Sequence, residues 1–460
     1  MSLGRVHLVG IGGAGMSGIA RVLLARGSTV SGSDAKDSLT VAALRALGAT
    51  VHIGHAASHI DGADTVVVSS AIRPDNPELV AARERGTTVL PRAEALATLL
   101  VGRRGVAVAG THGKTTTTSM LTVAAQHCGA DPSFAIGGDL NEAGSNAHHG
   151  SGDLFVLEAD ESDGSFLAYA PHAAIVTNVE ADHLDHYADV AAVDRAFEQF
   201  VRTVDPAGFV VLCADDPGTR RLAEVARAEG IEVRTYGTDA DADLRLDALA
   251  ASGSTSTYEP VLRGRRLGRV DLVVAGVHLA RNSAAALLTG IGLGLPEALL
   301  IEGLGGFTGV RRRMELKGAA GGVRIYDDYA HHPTEVRAQL VAARGMTGGG
   351  RLVVVFQPHM YSRTAVFADS FGAALGLADD VVVMDVYGAR EDPVPGVTGA
   401  IVAAAVPLTP GQVVYEPSWT AVPEQVVRRA RPGDLVVTMG AGDVTQVGLE
   451  VLRLLRGGEP

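Results

Sequence analysis

Short apolar segments rich in Val and Ile alternate along the chain with longer segments in which Ala, Leu and Arg recur at helical spacing. This alternation is typical of β-α units built around parallel sheets. The pattern begins afresh near residue 104 and again near residue 317. It therefore predicts three α/β domains in series, with boundaries at 1–103, 104–316 and 317–460.

Strands are predicted where an apolar run follows a turn signal. In the first domain these runs are 5–11, 29–34, 50–53, 65–70 and 88–90, and the Gly-Arg-Arg-Gly segment 102–105 is predicted to be a linker. In the second domain they are 106–109, 154–157, 174–177 and 209–212, followed by an antiparallel patch near 243–275 and helices from about 278 to 303. In the third domain they are 323–326, 352–356, 381–384 and 435–438.

Charge, hydropathy and cysteine content narrow the class of protein. The 460 residues carry a formal net charge of −13, which argues against binding to a nucleic-acid backbone. No run approaches the ~20 apolar residues of a membrane span, and the first residues lack a signal-peptide pattern. The two cysteines, Cys128 and Cys213, build no disulfide framework. We expect a soluble cytoplasmic protein, monomeric or homodimeric, with no nucleic-acid or membrane partner.

A glycine-rich segment follows the first predicted strand. Gly10-Ile11-Gly12-Gly13-Ala14-Gly15 fits G-x-G-x-x-G, and Asp34 ends the second strand, where a ribose-binding acid belongs. Such glycines let backbone N–H groups approach a diphosphate at a helix N-terminus. The first domain is therefore predicted to be Rossmann-like. Taken alone, the motif indicates NAD or FAD, or a glycine-rich turn without a ligand.

A second glycine-rich segment follows the strand at 106–109. Gly110-Thr111-His112-Gly113-Lys114-Thr115-Thr116 is shorter than G-x-x-x-x-G-K-[ST], but it offers the same N–H groups, Lys and Thr hydroxyl to phosphates and Mg²⁺. Its helix is predicted to start at Thr115. The chain has only three lysines, Lys36, Lys114 and Lys317, so a Lys in this position is informative. The central domain is predicted to be P-loop ATPase-like.

Two acidic segments follow strands of the central domain. The first is Leu157–Asp163, and the second is Thr177–His186, which contains His183. A run of acids is by itself consistent with a solvated loop, and His183 is either a Mg²⁺ ligand or a surface imidazole. Oxygen-rich ligation with one imidazole suits Mg²⁺ held jointly with phosphates better than zinc.

The third domain, also predicted to be a Rossmann-like α/β domain, contributes polar segments near its strand ends. Arginine triplets are usually solvated, but the triplet at 311–313 lies at a predicted domain junction, where a cation can neutralise a transferring phosphoryl group. The segments Asp327–Pro333 and Phe356–Thr364 bring His, Arg and Asp residues that suit binding of a small carboxylate substrate.

Together these segments resemble the Mur ligase family along nearly the whole chain. The motifs that carry the resemblance are Gly10–Gly18 (GIGGAGMSG), Gly110–Thr117 (GTHGKTTT), Glu158–Asp163 (EADESD), Asn178–Asp185 (NVEADHLD), Asp327–Glu335 (DDYAHHPTE), Phe356–Thr364 (FQPHMYSRT) and Met439–Asp443 (MGAGD). The resemblance implies an ATP-dependent ligase that joins L-alanine to the lactyl carboxylate of UDP-N-acetylmuramate through an acyl phosphate. This is a step in peptidoglycan precursor synthesis, with ATP and Mg²⁺ as cofactors.

The resemblance also implies a role for each matching residue. UDP-sugar binding falls to Gly12, Gly13, Ala14, Gly15, Met16, Ser33, Asp34 and Ser70. ATP binding falls to Gly110, Thr111, His112, Gly113, Lys114, Thr115, Thr116, His278, Asn282, Arg313 and Asp328. Thr115 and Glu158 are implied to bind one Mg²⁺ and His183 a second, and His331, His359 and Arg363 are implied to bind L-alanine. The catalytic set is Lys114, Glu158, His183, Arg313 and His331.

The chain departs from the family pattern at two positions and lacks one family feature. Leu279 replaces the Asn of H-N-x-x-N, and Met360 stands where the family often has a basic residue. Several family members hold Mg²⁺ with a carbamylated Lys, but no Lys lies between Thr115 and Met314. Arg cannot take up CO₂ in its place, because it supplies no neutral nitrogen.

Three alternative functions remain open from the sequence. A recycling ligase would join a preformed tripeptide to the same UDP-sugar. An NAD-dependent oxidoreductase would use the first glycine-rich turn, although the Lys114 segment and its acids argue against it. A non-catalytic regulator would bind nucleotide without substrate-dependent release of ADP.

Overall fold

The structure is a computed structural model that describes residues 3–140, 145–183, 186–389 and 391–457. Leu184 and Asp185 of the Asn178–Asp185 motif lie outside the described residues. The chain forms two compact units. The first runs to Asp247 and adds Glu259–Val270 and Arg281–Phe307, and the second comprises Ala248–Tyr258, Asp271–Ala280 and the chain from Thr308 onward.

The first unit begins with a five-stranded parallel sheet. Its strands are β1 (Val6–Val9), β2 (Val30–Asp34), β3 (Thr50–Ile53), β4 (Thr65–Val68) and β5 (Thr88–Pro91). Its helices are α1 (Ala14–Ala25), α2 (Leu39–Ala46), α3 (Pro77–Arg85) and α4 (Arg92–Leu100). The strand order is β3-β2-β1-β4-β5, so the chain reverses direction across the sheet between β1 and β4. Ligands bind at such a switch point, beyond the carboxyl ends of the strands.

A second, larger sheet lies mostly in the same unit. Its strands are β6 (Arg104–Ala109), β7 (Ser133–Ala135), β8 (Ala147–His148), β9 (Leu154–Glu158), β10 (Ala173–Val176), β11 (Phe209–Cys213), β12 (Glu232–Gly237), β13 (Leu244–Ser252), β14 (Thr255–Leu262), β15 (Arg265–Arg266) and β16 (Val270–Leu272). Its helices are α5 (Lys114–His127), α6 (Val190–Arg202), α7 (Pro217–Ala228), α8 (Val277–Gly292) and α9 (Glu297–Gly305). Parts of its strands β13, β14 and β16 and the start of its helix α8 are counted in the second unit. Strand β6 lies between β9 and β10, parallel to both. The segments that follow these three strands therefore meet at one edge of the sheet.

The second unit is built on a six-stranded sheet in the order β17-β18-β22-β19-β20-β21. Its strands are β17 (Glu315–Ala320), β18 (Val323–Asp328), β19 (Leu352–Phe356), β20 (Asp380–Val383), β21 (Val413–Tyr415) and β22 (Leu435–Met439). Its helices are α10 (Pro333–Met346), α11 (Tyr361–Leu375), α12 (Gly399–Ala405), α13 (Val422–Arg429) and α14 (Thr445–Leu455). Only β17 is antiparallel to its neighbour, strand β18, among the pairs that the described residues form.

The predicted class, α/β with parallel sheets, is confirmed. The predicted linker at 102–105 is partly wrong, because strand β6 already begins at Arg104, which pairs with Leu154 of β9. The apolar pattern did not predict strands β7, β8, β12, β17 and β21. These strands are short or carry polar residues on exposed positions, so they lack the apolar run that marked the others. In the described ranges, no helix is long and apolar enough to cross a membrane.

Candidate functional site

The first glycine-rich turn is held by the end of β2. The amides of Gly10 and Ile11 donate to the Ser33 carbonyl at 2.8 and 2.9 Å, and the Gly12 amide donates to Asp34 Oδ2 at 2.9 Å. Asp34, predicted to bind a ribose, therefore braces the turn itself. The turn lies at the switch point between β1 and β4, and Ser70 is exposed just beyond β4.

The other residues predicted to bind the UDP-sugar differ in how far their side chains or backbone are exposed. Ala14 opens helix α1, and Gly15 and Met16 follow in its first turn. The Met16 side chain is buried in the core. Ser33 is also fully buried, and its hydroxyl donates to Glu78 Oε2 at 2.5 Å. The side chains of Met16 and Ser33 therefore support the turn from below, whereas the glycines form its open surface.

Sequence reasoning missed Arg92, the first residue of α4. A Cβ atom added to Gly15 would lie 2.5 Å from Arg92 Nη1, so the guanidinium rests against the first turn of α1. Arg92 Nη2 also lies 3.4 Å from Asp160 Oδ2, in the acidic segment after β9. Arg92 thus places a positive charge between the glycine-rich turn and the acidic segment. No local signal distinguishes it from the many other arginines.

The second glycine-rich turn connects β6 to α5. Gly113 has φ +84°, the left-handed conformation that glycine adopts without strain. Asn178, just after β10, braces the turn, because its side-chain oxygen accepts from the His112 amide at 2.9 Å and its carbonyl from the Thr111 amide at 3.0 Å. Gly110, Thr111, His112 and Gly113 form the turn, and Lys114, Thr115 and Thr116 form the first turn of α5.

Lys114 lies inside this turn. Its Nζ atom is 2.8 Å from the Gly110 carbonyl, 3.2 Å from the Thr111 carbonyl and 2.8 Å from Glu161 Oε1. Burial by itself would lower the pKa of Lys114, but the carboxylates of Glu161, Asp160 and Glu158 raise it above its ordinary value. The ammonium group of Lys114 is therefore held in its charged form. Carboxylates lie beside it, where the phosphates of ATP are expected to bind.

Thr115 and Glu158 form a second pair beside it. The Thr115 hydroxyl donates to Glu158 Oε1 at 3.0 Å, and the Gly137 amide donates to Oε2 at 2.7 Å. Burial raises the pKa of Glu158, although Lys114 and the Gly137 amide oppose the shift. A buried carboxylate with a raised pKa is poised to receive a cation, and these two residues are the ones predicted to hold Mg²⁺.

His183 reaches the same acids from the segment after β10. Its Nε2 atom lies 3.5 Å from Glu161 Oε1 and 3.7 Å from Asp182 Oδ2. His183 has φ +54°, a conformation that costs a non-glycine residue energy and that clusters at functional sites. The imidazole is mostly buried, so the alternative of a surface imidazole is weakened. The oxygen-rich donors and single imidazole fit a hard cation such as Mg²⁺.

The residues predicted to bind the adenine side lie one turn apart on α8, His278 and Asn282. The Asn282 side chain packs against the phosphate loop, since a Cβ atom on Gly113 would lie 2.9 Å from Asn282 Oδ1. Arg281 pairs with Asp215 at 2.7 Å, which fixes this part of α8 to the segment after β11. Leu279, the departure from the family pattern, is half-buried.

In the second unit, the arginines of the triplet at 311–313 make different contacts. Arg312 donates to the carbonyls of Gly440 and Gly442 at 2.7 and 3.1 Å and pairs with Asp327, so its charge is used within the fold. Arg313 has a weaker ion pair, 3.8 Å from Glu335 Oε1. Asp328 accepts from the amides of Met314 and Ala330, both at 2.8 Å, and burial raises its pKa to about 7.

The residues predicted to bind L-alanine come together at the ends of β18 and β19. The rings of His331 and His359 meet edge to face with their centroids 5.8 Å apart, and Arg363 Nη1 lies 3.5 Å from His359 Nδ1. Met360 is buried with φ +67° at the start of α11, and its amide donates to the Tyr387 carbonyl at 2.9 Å. Met360 therefore shapes the turn and presents no charge, which leaves Arg363 as the cation of this group.

The comparisons with known proteins agree with this geometry. Residues 5–104 match the Mur ligase family catalytic domain, residues 108–290 the Mur ligase middle domain, and residues 312–442 the Mur ligase glutamate ligase domain. The three matches follow one another along the chain and together cover most of it. The chain belongs to the Mur ligase family, and it is an enzyme of that family, whose members depend on ATP.

Individual relatives are more specific. A UDP-N-acetylmuramate–L-alanine ligase of Saccharopolyspora erythraea is 61% identical over 98% of this chain and 93% of that protein. The crystal structure of the UDP-N-acetylmuramate–alanine ligase of Thermotoga maritima is 29% identical with a TM-score of 0.83, covering 98% of this chain and 99% of that one. A murein peptide ligase of Psychrobacter arcticus is 25% identical with a TM-score of 0.72, covering 99% of both chains.

Proposed function

We propose that the protein joins L-alanine to the lactyl carboxylate of UDP-N-acetylmuramate, at the expense of ATP, in the synthesis of peptidoglycan precursors. The observation that carries the proposal is the phosphate loop, in which buried Lys114 contacts Glu161, His183 contacts the same carboxylate, and Thr115 contacts Glu158. The names of the relatives support the choice of substrates, since the protein that is 61% identical is a UDP-N-acetylmuramate–L-alanine ligase.

The loop binds the ATP phosphates through its backbone amides and Lys114. Thr115, Glu158 and His183 would hold Mg²⁺, which when bound neutralises phosphate charge. The loop's polar side chains and Asn282 line the nucleotide, and the family resemblance also assigns Asp328 and Arg313 to ATP binding. Lys114 stabilises the charge of the γ-phosphoryl group as the substrate carboxylate attacks it, and the resemblance gives Arg313 the same task. The products of this step are ADP and an acyl phosphate.

The first turn binds the diphosphate of the UDP-sugar at the N-terminus of α1, where the first amides of the helix have no partner within the helix. Arg92, which rests against Gly15, adds the positive charge that this turn otherwise lacks. Asp34 and Ser33 hold the turn in shape. Arg92 also contacts Asp160, which belongs to the acidic segment near the ATP site. The first turn therefore suits a substrate whose reacting carboxylate must reach that site.

L-alanine binds through its carboxylate to Arg363, with His359 and His331 beside it. A guanidinium holds a carboxylate with two parallel hydrogen bonds, which fixes the direction of the neighbouring amine. The amine then attacks the acyl carbon and phosphate leaves. Because phosphoryl transfer needs little covalent help, the protein contributes mainly positioning and charge neutralisation.

The domain boundaries, location and assembly belong to the same proposal. Boundaries at 1–103, 104–316 and 317–460 are supported by the three family matches, which change near residues 104 and 312. The cysteines Cys128 and Cys213 are free, as in proteins of a reducing compartment, which supports the cytoplasm. We propose a monomer or a homodimer.

An assay of ADP release tests the function. The purified protein is given ATP, Mg²⁺ and UDP-N-acetylmuramate, with L-alanine, glycine, L-serine or the tripeptide L-alanyl-γ-D-glutamyl-meso-diaminopimelate as the acceptor. We expect fast ADP release with L-alanine. Preference for the tripeptide would identify a recycling ligase, and ADP release by no acceptor would indicate a nucleotide-binding regulator. Reduction of NAD by a substrate would support the oxidoreductase instead.

A further inference from the structure

The glycine-rich segment Met439–Asp443 is a third turn of the same kind, and it has no part in the function proposed above. It follows β22, which lies between β18 and β19 and is parallel to both, and it leads into α14. A side chain of the protein already binds the amide group at the start of this helix. Gln357 Oε1 accepts from the Val444 amide at 3.1 Å, and Gln357 Nε2 donates to Asp443 Oδ1 at 2.7 Å. Because Gln357 takes the place of an anion at the helix N-terminus, the turn is available for another task.

The carbonyl groups of this turn bind the guanidinium of Arg312. Arg312 Nη2 donates to the Gly440 carbonyl at 2.7 Å and to the Gly442 carbonyl at 3.1 Å. Gly440 has φ +145°, and a Cβ atom at this position would lie 2.7 Å from the Gln357 carbonyl oxygen. Only glycine fits there without strain, which explains one glycine of the motif. The turn thus directs two carbonyl groups to one arginine side chain.

A buried acid holds the same guanidinium as well. Arg312 Nε lies 3.4 Å from Asp327 Oδ2, and the Asp327 side chain is completely buried. The Thr438 hydroxyl donates to Asp327 Oδ1 at 2.7 Å, and the Thr445 hydroxyl donates to Oδ2 at 2.6 Å. A buried carboxylate with these partners is fixed in direction and balances the charge of Arg312. That charge is therefore neutralised inside the second unit.

The backbone next to Arg312 is strained and firmly held. Arg312 has φ +59° and Met314 has φ +47°, and such left-handed conformations cost a non-glycine residue energy. The Arg312 amide donates to Glu315 Oε2 at 2.9 Å, and the Arg312 carbonyl accepts from the Tyr329 amide at 2.8 Å. Arg313 lies between the two strained residues, so its side chain leaves the backbone in one fixed direction.

The two neighbouring arginines share one aromatic ring. The guanidinium carbon of Arg312 lies 4.8 Å from the centre of the Tyr329 ring, and that of Arg313 lies 5.3 Å from it. Two like charges this close would repel each other, but Asp327 balances the charge of Arg312. Arg313 has a longer ion pair, 3.8 Å from Glu335 Oε1, and so keeps more of its charge for a ligand. One arginine of the pair thus supports the structure, and the other is available to a phosphate.

We propose that Arg312 is a positioning residue, which the Met439–Asp443 turn and Asp327 hold in place so that Arg313 presents its guanidinium in one direction to the γ-phosphoryl group. This inference rests on the proposed function, because it assumes that Arg313 binds ATP. A charged donor stabilises a transferring phosphoryl group only if it is already aligned, and a displacement of about 1 Å can lower the rate about 100-fold. The third glycine-rich turn therefore acts on the reaction without contacting the substrate.

Arg312→Lys tests the inference, because it keeps the positive charge and removes the planar guanidinium whose nitrogens reach the turn and Asp327. We expect kcat for ADP release with L-alanine to fall about 10- to 100-fold, because Arg313 loses its alignment. The KM for UDP-N-acetylmuramate should change by less than about twofold, since the variant leaves the first turn intact. If the charge of Arg312 acted directly on the phosphate, the Lys variant would keep most of the rate. Arg428→Lys, which changes an exposed arginine of α13 paired with Glu424 at 3.3 Å, is the matched control and should keep the wild-type rate.

A double variant distinguishes positioning from a general loss of stability. Arg313→Lys changes the donor that Arg312 is inferred to align. If Arg312 acts only through Arg313, adding Arg312→Lys to Arg313→Lys should lower kcat no further than Arg313→Lys alone does. Losses of kcat that multiply in the double variant, or an unchanged kcat in folded Arg312→Lys, would overturn the inference.

A second variant covers the case in which Arg312→Lys does not fold. Thr445→Val removes one donor to Asp327 and should show a smaller loss of kcat, which again disappears in the Arg313→Lys background. Failure of the proposed function looks different, because the wild type would then release no ADP with L-alanine. The same variants are then compared by their affinity for a non-hydrolysable ATP analogue relative to ADP, a ratio that measures the γ-phosphate contact. We expect Arg312→Lys to lower this ratio about tenfold, and an unchanged ratio would contradict the inference.

Discussion

The two glycine-rich turns of the first unit have the same local design and different surroundings. Each follows a central strand of its sheet, β1 or β6, and opens a helix. The first turn is braced by backbone and carboxylate groups of β2, and the cation beside it is Arg92, which comes from another helix. The second turn carries its own cation, Lys114, and faces the buried acids Glu158 and Glu161.

The difference shows what each turn can bind. Backbone amides at a helix N-terminus suit any phosphate, so they do not distinguish the two sites. Buried carboxylates would repel a phosphate unless a cation lay between them, and a site that places Glu158 and Glu161 there is therefore built for phosphate together with metal. At the first turn, the neighbouring carboxylates are already paired within the fold, because Asp34 accepts from the Gly12 amide and Asp160 pairs with Arg92. It suits a diphosphate without a metal ion.

The largest expected effect comes from Lys114→Met, which removes the cation of the second turn. Turnover should fall by several orders of magnitude, since a single preorganised donor at a developing charge is worth ~10²–10³ in rate and Lys114 carries a full charge. Binding of UDP-N-acetylmuramate, measured by calorimetry, should change little. Equal loss of both functions in folded protein would mean that the two turns do not work separately.

His183→Ala removes the imidazole from the acids of the second turn. We expect activity to fall about 100-fold, with a higher Mg²⁺ concentration needed for half-maximal rate, because a cation ligand is lost. Removing dissolved CO₂ and bicarbonate should leave the wild-type rate unchanged, since no Lys is available for a carbamate. Recovery of a depleted enzyme on addition of bicarbonate would contradict this account of the site.

Arg92→Ala removes the cation of the first turn. The KM for UDP-N-acetylmuramate should rise about 10- to 100-fold, the range expected for a hydrogen bond to a charged group worth ~1.5–3 kcal/mol. The KM for ATP should change far less. Arg85→Ala, which removes an exposed arginine of α3 that pairs with Asp61, is the control. A larger change in the KM for ATP would assign Arg92 to the second turn.

The smallest expected effects are on the free energy of unfolding. Its dependence on pH should have opposite signs for the acid near the first turn and the acid near the second. Burial would raise the pKa of Glu78, which lies beneath the first turn, but His7, Ser33 and His59 lower it to about 2. Its contribution to stability is therefore present above its ordinary pKa of 4.5 and is lost as the pH falls toward 2. Glu158 has a raised pKa, so its contribution becomes less favourable as the pH rises above the ordinary value.

Thermal unfolding of nucleotide-free protein at pH 7 measures this difference. Glu78→Gln should lower the free energy of unfolding by about 1–3 kcal/mol, because it leaves buried partners without their carboxylate. Glu158→Gln should keep the melting temperature or raise it, although the variant loses activity. A loss of stability in both variants would show that the acids of the second turn serve the fold and not a cation.

The sequence predicted the parts of the site that depend on neighbouring residues. A run of Val and Ala followed by a short glycine-rich segment and a Thr-rich helix determines a strand, a turn and a helix N-terminus within about a dozen residues. The positions of Lys114, Thr115 and Glu158 at strand and helix ends could therefore be inferred. Strands such as β12 and β17, whose residues are mixed and partly exposed, carried no comparable signal.

The tertiary structure alone decided which charges meet. Lys114 and Glu161 are 47 residues apart, and Arg92 and Asp160 are 68 apart, so no local spacing relates them. Their contacts depend on the order of strands in two sheets, which brings the ends of β6, β9 and β10 to one edge and directs α4 toward it. Backbone conformation is set by nearby residues, whereas electrostatic partners are set by packing between distant ones. The sequence thus determined the two turns, and only the fold determined that the second turn faces Glu158 and Glu161 while the first lies against Arg92.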